Sequence, residues 1–424
     1  GVSTPLALLK AEDETPYKIV KVFFATDRRP VDPALLASRQ RRLWPLVGSL
    51  ALVVFGIVTA VFYSAWRRWS IGFVIAGGAA ALVIVVGQRG ALPVAVSTVD
   101  ASGSGTVAYG NERGDLQLGE CEITIPKAHR EGRVERPSVW RLELKERADK
   151  HVILRRVERQ PSDKFFTGVR NRVNQSPRKD LFVFIHGYNV SFDTAARRTA
   201  QMAHDLDFEG APIFFSWPSQ GGMLQYTVDE NNVAWAVPHL KQFLRDLIKQ
   251  SGADAINVIA HSMGNRALAS AIREMSLESQ ANQQHFDQIV LAAPDVDAEV
   301  FRRDIAPALV KSAKHVTLYA SSRDHALQAS KVVHGYPRAG DSGNELVVVP
   351  GIDTIDVTDA DMSILGHSYY GSSQPIVNDL ESLLRRDLPA ERRQWLERAE
   401  RDGQVYWIFD EPAATANWKQ RFMQ

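Results

Sequence analysis

The sequence predicts an α/β fold: a mostly parallel central sheet flanked by helices, interrupted near its start by an inserted two-helix transmembrane hairpin. Three observations predict it. From Asp180 onward, short apolar runs alternate with helical stretches, the order that builds a parallel sheet covered on both faces. Those runs are almost continuously hydrophobic, as strands buried on both faces must be. Ahead of them, two uncharged apolar stretches follow each other between Trp44 and Gln88.

Taken in order, residues 18–25 read as a strand by their β-branched and aromatic content, ended by residues 26–30. Residues 44–66 and 69–88 come next, separated by Arg67 and Arg68. Each is long enough to cross a bilayer, which takes about 20 apolar residues. A signal peptide is shorter and sits at the very start of a chain. Arg28, Arg29, Arg39, Arg41 and Arg42 precede the first run and Arg89 follows the second. The positive-inside rule therefore puts both ends of the hairpin in the cytoplasm. Gly48, Gly56, Gly72, Gly77 and Gly78 allow close helix contact and so an oligomer through the hairpin. The expected organisation is an N-terminal segment with the first strand (1–42), the hairpin (43–89) and a catalytic domain (90–424) with a linker at 97–110 rich in Ser, Gly and Thr.

Beyond the linker, residues 121–125 read as a strand, and residues 140–144 and 152–157 as further strands forming an antiparallel edge. Further strands are expected at 181–185, 212–215, 255–259, 288–292, 315–319 and 354–357. Helices are expected at 191–205, 231–250, 265–275 and 374–386. Residues 389–401 read as a charged helix and 405–409 as a short apolar packing segment. Composition excludes little else. The chain is 45% hydrophobic and 23% charged with a net charge of +1, which disfavours nucleic acid as partner because that needs a concentrated basic face. The single cysteine, Cys121, suits a reducing compartment.

The chemistry is carried by residues 258–265. They form an A-x-S-x-G pattern, with Ala260 where glycine is usual, Ser262 at the turn and Gly264 after it. Small residues two before and two after the serine let a helix double back over a strand and push the hydroxyl out at the sheet's end. A strand runs into the pattern and a helix runs out of it. The plain alternative is a serine at a helix N-cap. A nucleophilic serine needs a base, and the base an orienting acid. In this arrangement they follow in the order Ser, acid, His. His367 lies between the last expected strand and the last helix, where the base belongs. Asp324, just beyond the strand at 315–319, is the favoured acid; Asp295 and Asp297, beyond the strand before it, are the alternatives. The backbone N–H groups of Met263 and Tyr188 are the expected oxyanion donors. His186 reads as a buttress of the Tyr188 loop rather than as the base. Residues 218–226, with Gly221 and Gly222, read as a loop bordering the pocket.

Several of these pieces recur together: residues 24–28, Tyr109-Gly110, residues 185–189 and 215–219, the elbow at 260–265, residues 293–295 and 366–368. In them the chain resembles the bacterial α/β-hydrolase proteins grouped as domain of unknown function 900, and the elbow is similar to that of small bacterial lipases. The resemblance implies an α/β-hydrolase fold with the triad Ser262, Asp324 and His367, and says little about substrate. The hairpin falls between two pieces of the family pattern, so it reads as an insertion into the hydrolase. The expected activity is hydrolysis of carboxylic esters through an acyl-enzyme at the cytoplasmic face of the inner membrane. The membrane anchor directs attention to lipid or acyl-chain esters. The expectation includes no metal and no cofactor. A membrane scaffold with a non-catalytic hydrolase domain, and a thioesterase or peptidase using the same triad, are the other readings.

Overall fold

The computed structural model describes residues 15–31, 107–137, 143, 145–220, 225–278, 284–323, 327, 330–331, 334–358, 360 and 374–410. The two apolar runs lie outside these residues. Among the described residues, no helix is long and apolar enough to cross a membrane.

The described residues build one sheet of eleven strands. In chain order these are β1 (Tyr17–Val31), β2 (Ala108–Pro126), β3 (Ile153–Gln160), β4 (Asp180–Ile185), β5 (Ala211–Ser216), β6 (Ala255–His261), β7 (Phe286–Ala292), β8 (Ala313–Ala320), β9 (Asp353–Asp356), β10 (Leu396–Arg401) and β11 (Gln404–Phe409). Their spatial order is β10-β11-β9-β8-β7-β6-β4-β5-β1-β2-β3. From β1 across to β11 the pairings are parallel. Antiparallel strands close both edges: β2 and β3 on one side, β10 on the other.

Parity explains the two layers. Every residue of β4, β5, β6 and β7 is buried. Alternate residues face opposite ways, so Leu181, Val183 and Ile185 enter one apolar cluster and Phe182 and Phe184 the other. The first cluster is covered by α1 (Ser162–Gln175), α3 (Tyr226–Gln250) and α4 (Gly264–Glu278), and by α5 (Ala306–Ser312). The second is covered by α2 (Phe192–Asp205) and α6 (Gln374–Leu384). In α1 the buried residues Phe165, Phe166, Val169 and Val173 recur at three- and four-residue spacing, the stripe that seats a helix on a sheet. Ser191 caps α2, its side chain accepting from the Thr194 N–H at 3.2 Å.

Connections from β4 lead one way across the sheet and those from β6 the other, so the sheet's topological switch lies between these neighbours. In open α/β sheets ligands bind at the carboxyl ends of the strands at such a point.

Some expected boundaries shift. Residues 26–30 do not end the first strand. β1 continues to Val31 through two register shifts, between Thr26 and Arg28 and between Arg28 and Pro30; bulges of this kind accommodate a proline that cannot donate to the ladder. The linker gives way to β2 at Ala108, and α3 begins at Tyr226. The helix expected at 389–401 is instead a single 3₁₀ turn, Ala390–Arg392, followed by edge strand β10. Its alternating charges, Glu397, Arg398, Glu400 and Arg401, suit an edge exposed to water. Asp402 and Gly403, both at positive φ, turn it into β11, which pairs with β9 rather than merely packing. Most of the strand expected at 140–144 lies outside the described residues.

Candidate active site

Ser262 sits where β6 passes into α4, two residues before Gly264 opens the helix. Its φ is +48°, in the left-handed region that residues with a Cβ rarely adopt. The surroundings hold it there. Its N–H donates to the Ala292 carbonyl at 2.9 Å, and its carbonyl accepts from the N–H of Asn265 at 3.1 Å and of Asp295 at 3.3 Å. The Asn265 side-chain amide donates to the carbonyls of Ser262 and Ala292, both at 3.1 Å. Such a conformation persists only where the surroundings over-determine it, and it clusters at functional sites. Gly264 explains the small residue after the serine. A Cβ there would lie 2.9 Å from the Ile185 carbonyl oxygen and closer still to that of His186. Ala260, fully buried in β6, fills the position before it without difficulty.

The loop after β4 presses on this turn. A Cβ on Gly187 would stand 2.7 Å from His261 Nδ1 and 2.8 Å from Ser262 Cβ. The peptide that follows Gly187 carries the Tyr188 N–H, and Met263, which follows the serine, is fully buried at the head of α4. His186 buttresses this loop. Its ring stacks on Trp217 at 5.1 Å, Nδ1 bonds the Gly187 carbonyl at 2.9 Å, and Nε2 bonds Ser216 Oγ at 3.1 Å. Trp217 Nε1–H donates to the His186 carbonyl at 2.8 Å. Burial, with the Arg28 charge nearby, lowers the His186 pKa to about 3. It is a neutral ring with both nitrogens engaged.

Behind it lies Arg28, fully buried. Its Nε donates to Ser216 Oγ at 2.8 Å, Nη2 to the Val190 carbonyl at 2.7 Å, and Nη1 to the Gly110 carbonyl at 3.1 Å and Asn111 Oδ1 at 3.0 Å. Burial lowers its pKa to about 10, with Asp27 and Asp229 acting the other way, so it stays charged at neutral pH. Asp229 in turn accepts from Ser219 Oγ at 2.5 Å and the Gln220 N–H at 2.7 Å. The segment 216–220 is thereby fixed beside the His186 loop.

Asp295 belongs to a third cluster. Its Oδ1 accepts from Arg338 Nε at 2.9 Å and Ser330 Oγ at 2.5 Å; its Oδ2 accepts from Arg266 Nη2 at 3.2 Å and from the Tyr226 hydroxyl. Burial opposes its ionisation, but Arg266 and Arg338 outweigh this and hold its pKa below the ordinary carboxylate value. Both oxygens are committed to these partners. Asp297 caps the turn after it, accepting from the N–H groups of Glu299 and Val300, both at 3.0 Å. The Arg338 segment docks on the same loop: the N–H of Ala339 donates to Val296 and that of Gly340 to Pro294. Asp324 and His367 lie outside the described residues. The strands that precede them, β8 and β9, end on the same edge as β6, in register through the pairs His261–Ala292, Ala292–Tyr319 and Tyr319–Ile355.

The sequence reading assigned no role to Ser216, Trp217, Arg266 or Arg338; it used Arg28 only as a charge flanking the first apolar run and Tyr226 only as the end of a loop bordering the pocket. Among the described residues, no three His, Cys, Asp or Glu side chains form a metal cluster.

No match appears among curated proteins. Two solved structures are distantly similar. One is an uncharacterised protein from Capnocytophaga ochracea, 10% identical with a TM-score of 0.27, the match covering 63% of this chain and 59% of that one. The other comes from a study of two fungal esterases from Rhizomucor miehei, 11% identical with a TM-score of 0.29, covering 64% of this chain and 79% of that one. Residues 162–386, more than half of the chain and inclusive of the elbow, match the family described as α/β-hydrolase of unknown function, DUF900. The chain belongs to that α/β-hydrolase family.

Proposed function

We propose that this protein is a membrane-anchored serine hydrolase that cleaves carboxylic esters through an acyl-enzyme, with Ser262 as nucleophile. One observation carries the reading: Ser262 is held at φ +48° on a strand-to-helix turn, with the Gly187 peptide packed against it. An elbow of this kind sets a serine hydroxyl beside two backbone N–H groups, here assigned to Met263 and Tyr188. His367 takes the Ser262 proton as Oγ attacks the ester carbonyl, and Asp324 holds the imidazole in the required tautomer. Charge developing on the carbonyl oxygen is met by the two N–H groups. His367 returns the proton to the departing alkoxide. Water, activated by the same histidine, then attacks the acyl-enzyme and releases the acid and the free serine. The scheme calls for no metal or cofactor. The fully engaged carboxylate of Asp295 and the capping role of Asp297 favour Asp324 as the acid.

The anchor is the hairpin read from residues 44–88, which puts the catalytic domain at the cytoplasmic face of the inner membrane and favours lipid or acyl-chain esters. The pairing of Val31 with Ala108 supports it. Residues 32–107 leave and re-enter the sheet at one place, and an even number of spans satisfies that. The test is turnover of p-nitrophenyl esters of increasing acyl length by the purified chain. Turnover that Ser262→Ala abolishes supports the reading. A folded chain that turns over no acyl length overturns it and favours the scaffold.

A further inference from the structure

We infer that the catalytic edge of the sheet faces the bilayer, and that the substrate is an acyl ester taken from the membrane itself rather than from water. This rests on the proposed anchored hydrolase and deepens it.

The observation is where the inserted segment is rooted. β1 runs parallel to β5, with Thr26 opposite Ser216 at the carboxyl end of β5. It then continues five residues further, paired with β2 up to Val31 opposite Ala108. At about 3.3 Å per residue, this two-stranded stalk reaches on the order of 15 Å past the sheet's carboxyl edge. That is the edge on which Ser262 and the His186 loop lie. The stalk is also fastened to the site. The buried Arg28 guanidinium bonds one arm at Gly110 and Asn111 and the His186 loop at Val190. Asn111 and Gln220 exchange two more bonds, Nδ2 to the Gln220 carbonyl at 3.2 Å and Gln220 Nε2 to the Asn111 carbonyl at 2.5 Å. Site and root therefore move as one body.

The tether is short. Twelve residues, 32–43, separate Val31 from the first apolar run. Fully extended they span at most about 40 Å. A domain of this size has a diameter of about 50 Å. Turning the opposite edge to the bilayer would demand that this tether run back along the whole sheet at full stretch. With the catalytic edge toward the membrane it needs no stretching. An ester whose acyl chain is held in the bilayer then meets Ser262 without leaving the headgroup region.

The full chain offers a direct test, because its only cysteine, Cys121, is fully buried. Fluorophores are attached at Val228→Cys, exposed at the start of α3 on the catalytic side, and at Asp254→Cys, exposed on the opposite side before β6. Each labelled chain is reconstituted in phosphatidylcholine–phosphatidylglycerol vesicles with nitroxide-headgroup lipid. Stronger quenching at position 228 than at 254 is expected; equal or reversed quenching overturns the inference. A second variant lengthens both arms with flexible Gly/Ser segments outside the paired stalk. Loss of local concentration should lower turnover of a long-chain ester in the vesicles about tenfold or more, with turnover of a soluble short-chain ester unchanged. Equal turnover of both esters by parent and lengthened variant overturns the membrane source while leaving the hydrolase. Loss of the parent chain from vesicles in an alkaline carbonate wash overturns the anchor and this orientation with it. Correct quenching with no turnover of any ester overturns the hydrolase and the substrate claim, and leaves the orientation standing.

Discussion

Gly264→Ala sets two effects against each other in the turn that makes the site. Gly264 opens α4, and alanine is the better helix former by up to about 1 kcal/mol. Helix propensity alone therefore makes the variant more stable. Packing opposes this. The added Cβ would lie 2.9 Å from the Ile185 carbonyl oxygen and nearer still to that of His186, against an ordinary contact of 3.4 Å or more. Both atoms are backbone at the end of β4, so no side chain can swing away. The helix start and the His186 loop must separate by roughly 0.5–1 Å, and overpacking of this kind costs about 1–3 kcal/mol. Packing wins, by up to about 2 kcal/mol, which lowers Tm by up to about 3 °C in a domain of about 300 residues. The chemical effect is larger. The separation moves Ser262 away from the Gly187–Tyr188 peptide, whose N–H is the proposed oxyanion donor, and a misplacement near 1 Å costs about 100-fold. The assay pairs a thermal melt with the second-order rate of labelling by a fluorophosphonate. A variant that melts higher and labels at the parental rate would show that the loop is not pressed on the elbow.

Three further outcomes follow from the same geometry. Asp295→Asn leaves the Arg266 and Arg338 guanidinium groups facing a neutral amide in a buried cluster, and should cost about 3–5 kcal/mol in a denaturant titration; a change below about 1 kcal/mol would mean the cluster is solvated. Arg28→Lys keeps the charge but cannot reach Ser216, Val190, Gly110 and Asn111 together, and losing one or two charged hydrogen bonds should cost about 2–4 kcal/mol in the same titration; parental stability would count against the clamp. His129 bonds Glu135 and Asp205, both at 2.7 Å. Burial opposes its charge, but these carboxylates outweigh burial and raise its pKa from 6.5 to about 9. A raised pKa stabilises fully below the unfolded value and ceases to as pH climbs through the folded one. Stability should therefore fall between about pH 6.5 and pH 9 in the parent, and that part of the slope should vanish in His129→Asn.

How much of this was legible in the sequence depends on where the information resides. The parallel strands were plain because burial on both faces makes them continuous apolar runs; β4 to β8 stand within two residues of their expected starts. The strand-to-helix turn at Ser262 was legible because the small residues around it answer to a local steric need. β10 was not, because charges along an edge strand read as a solvated helix when the partner strand is out of view. The Asp402-Gly403 turn was the signal that mattered there. Arg28 and Arg338 were illegible for another reason. Their partners lie 188 and 43 residues away in the chain, at Ser216 and Asp295, and a contact made only by folding leaves no local pattern. The strands at 121–125 and 152–157 came through as β2 and β3 because β-branched content survives at an edge, but their lengths and the pairing of β2 with β3 did not.

The most direct test of the nucleophile is the mass of a single peptide. The full chain is treated with a fluorophosphonate and digested, and the fragment that contains Ser262 is analysed. One phosphonyl adduct on Ser262, absent from Ser262→Ala and from heat-denatured chain, is the expected result. An adduct on another residue, or equal labelling of the Ser262→Ala chain, would contradict the assignment of Ser262 as the catalytic serine.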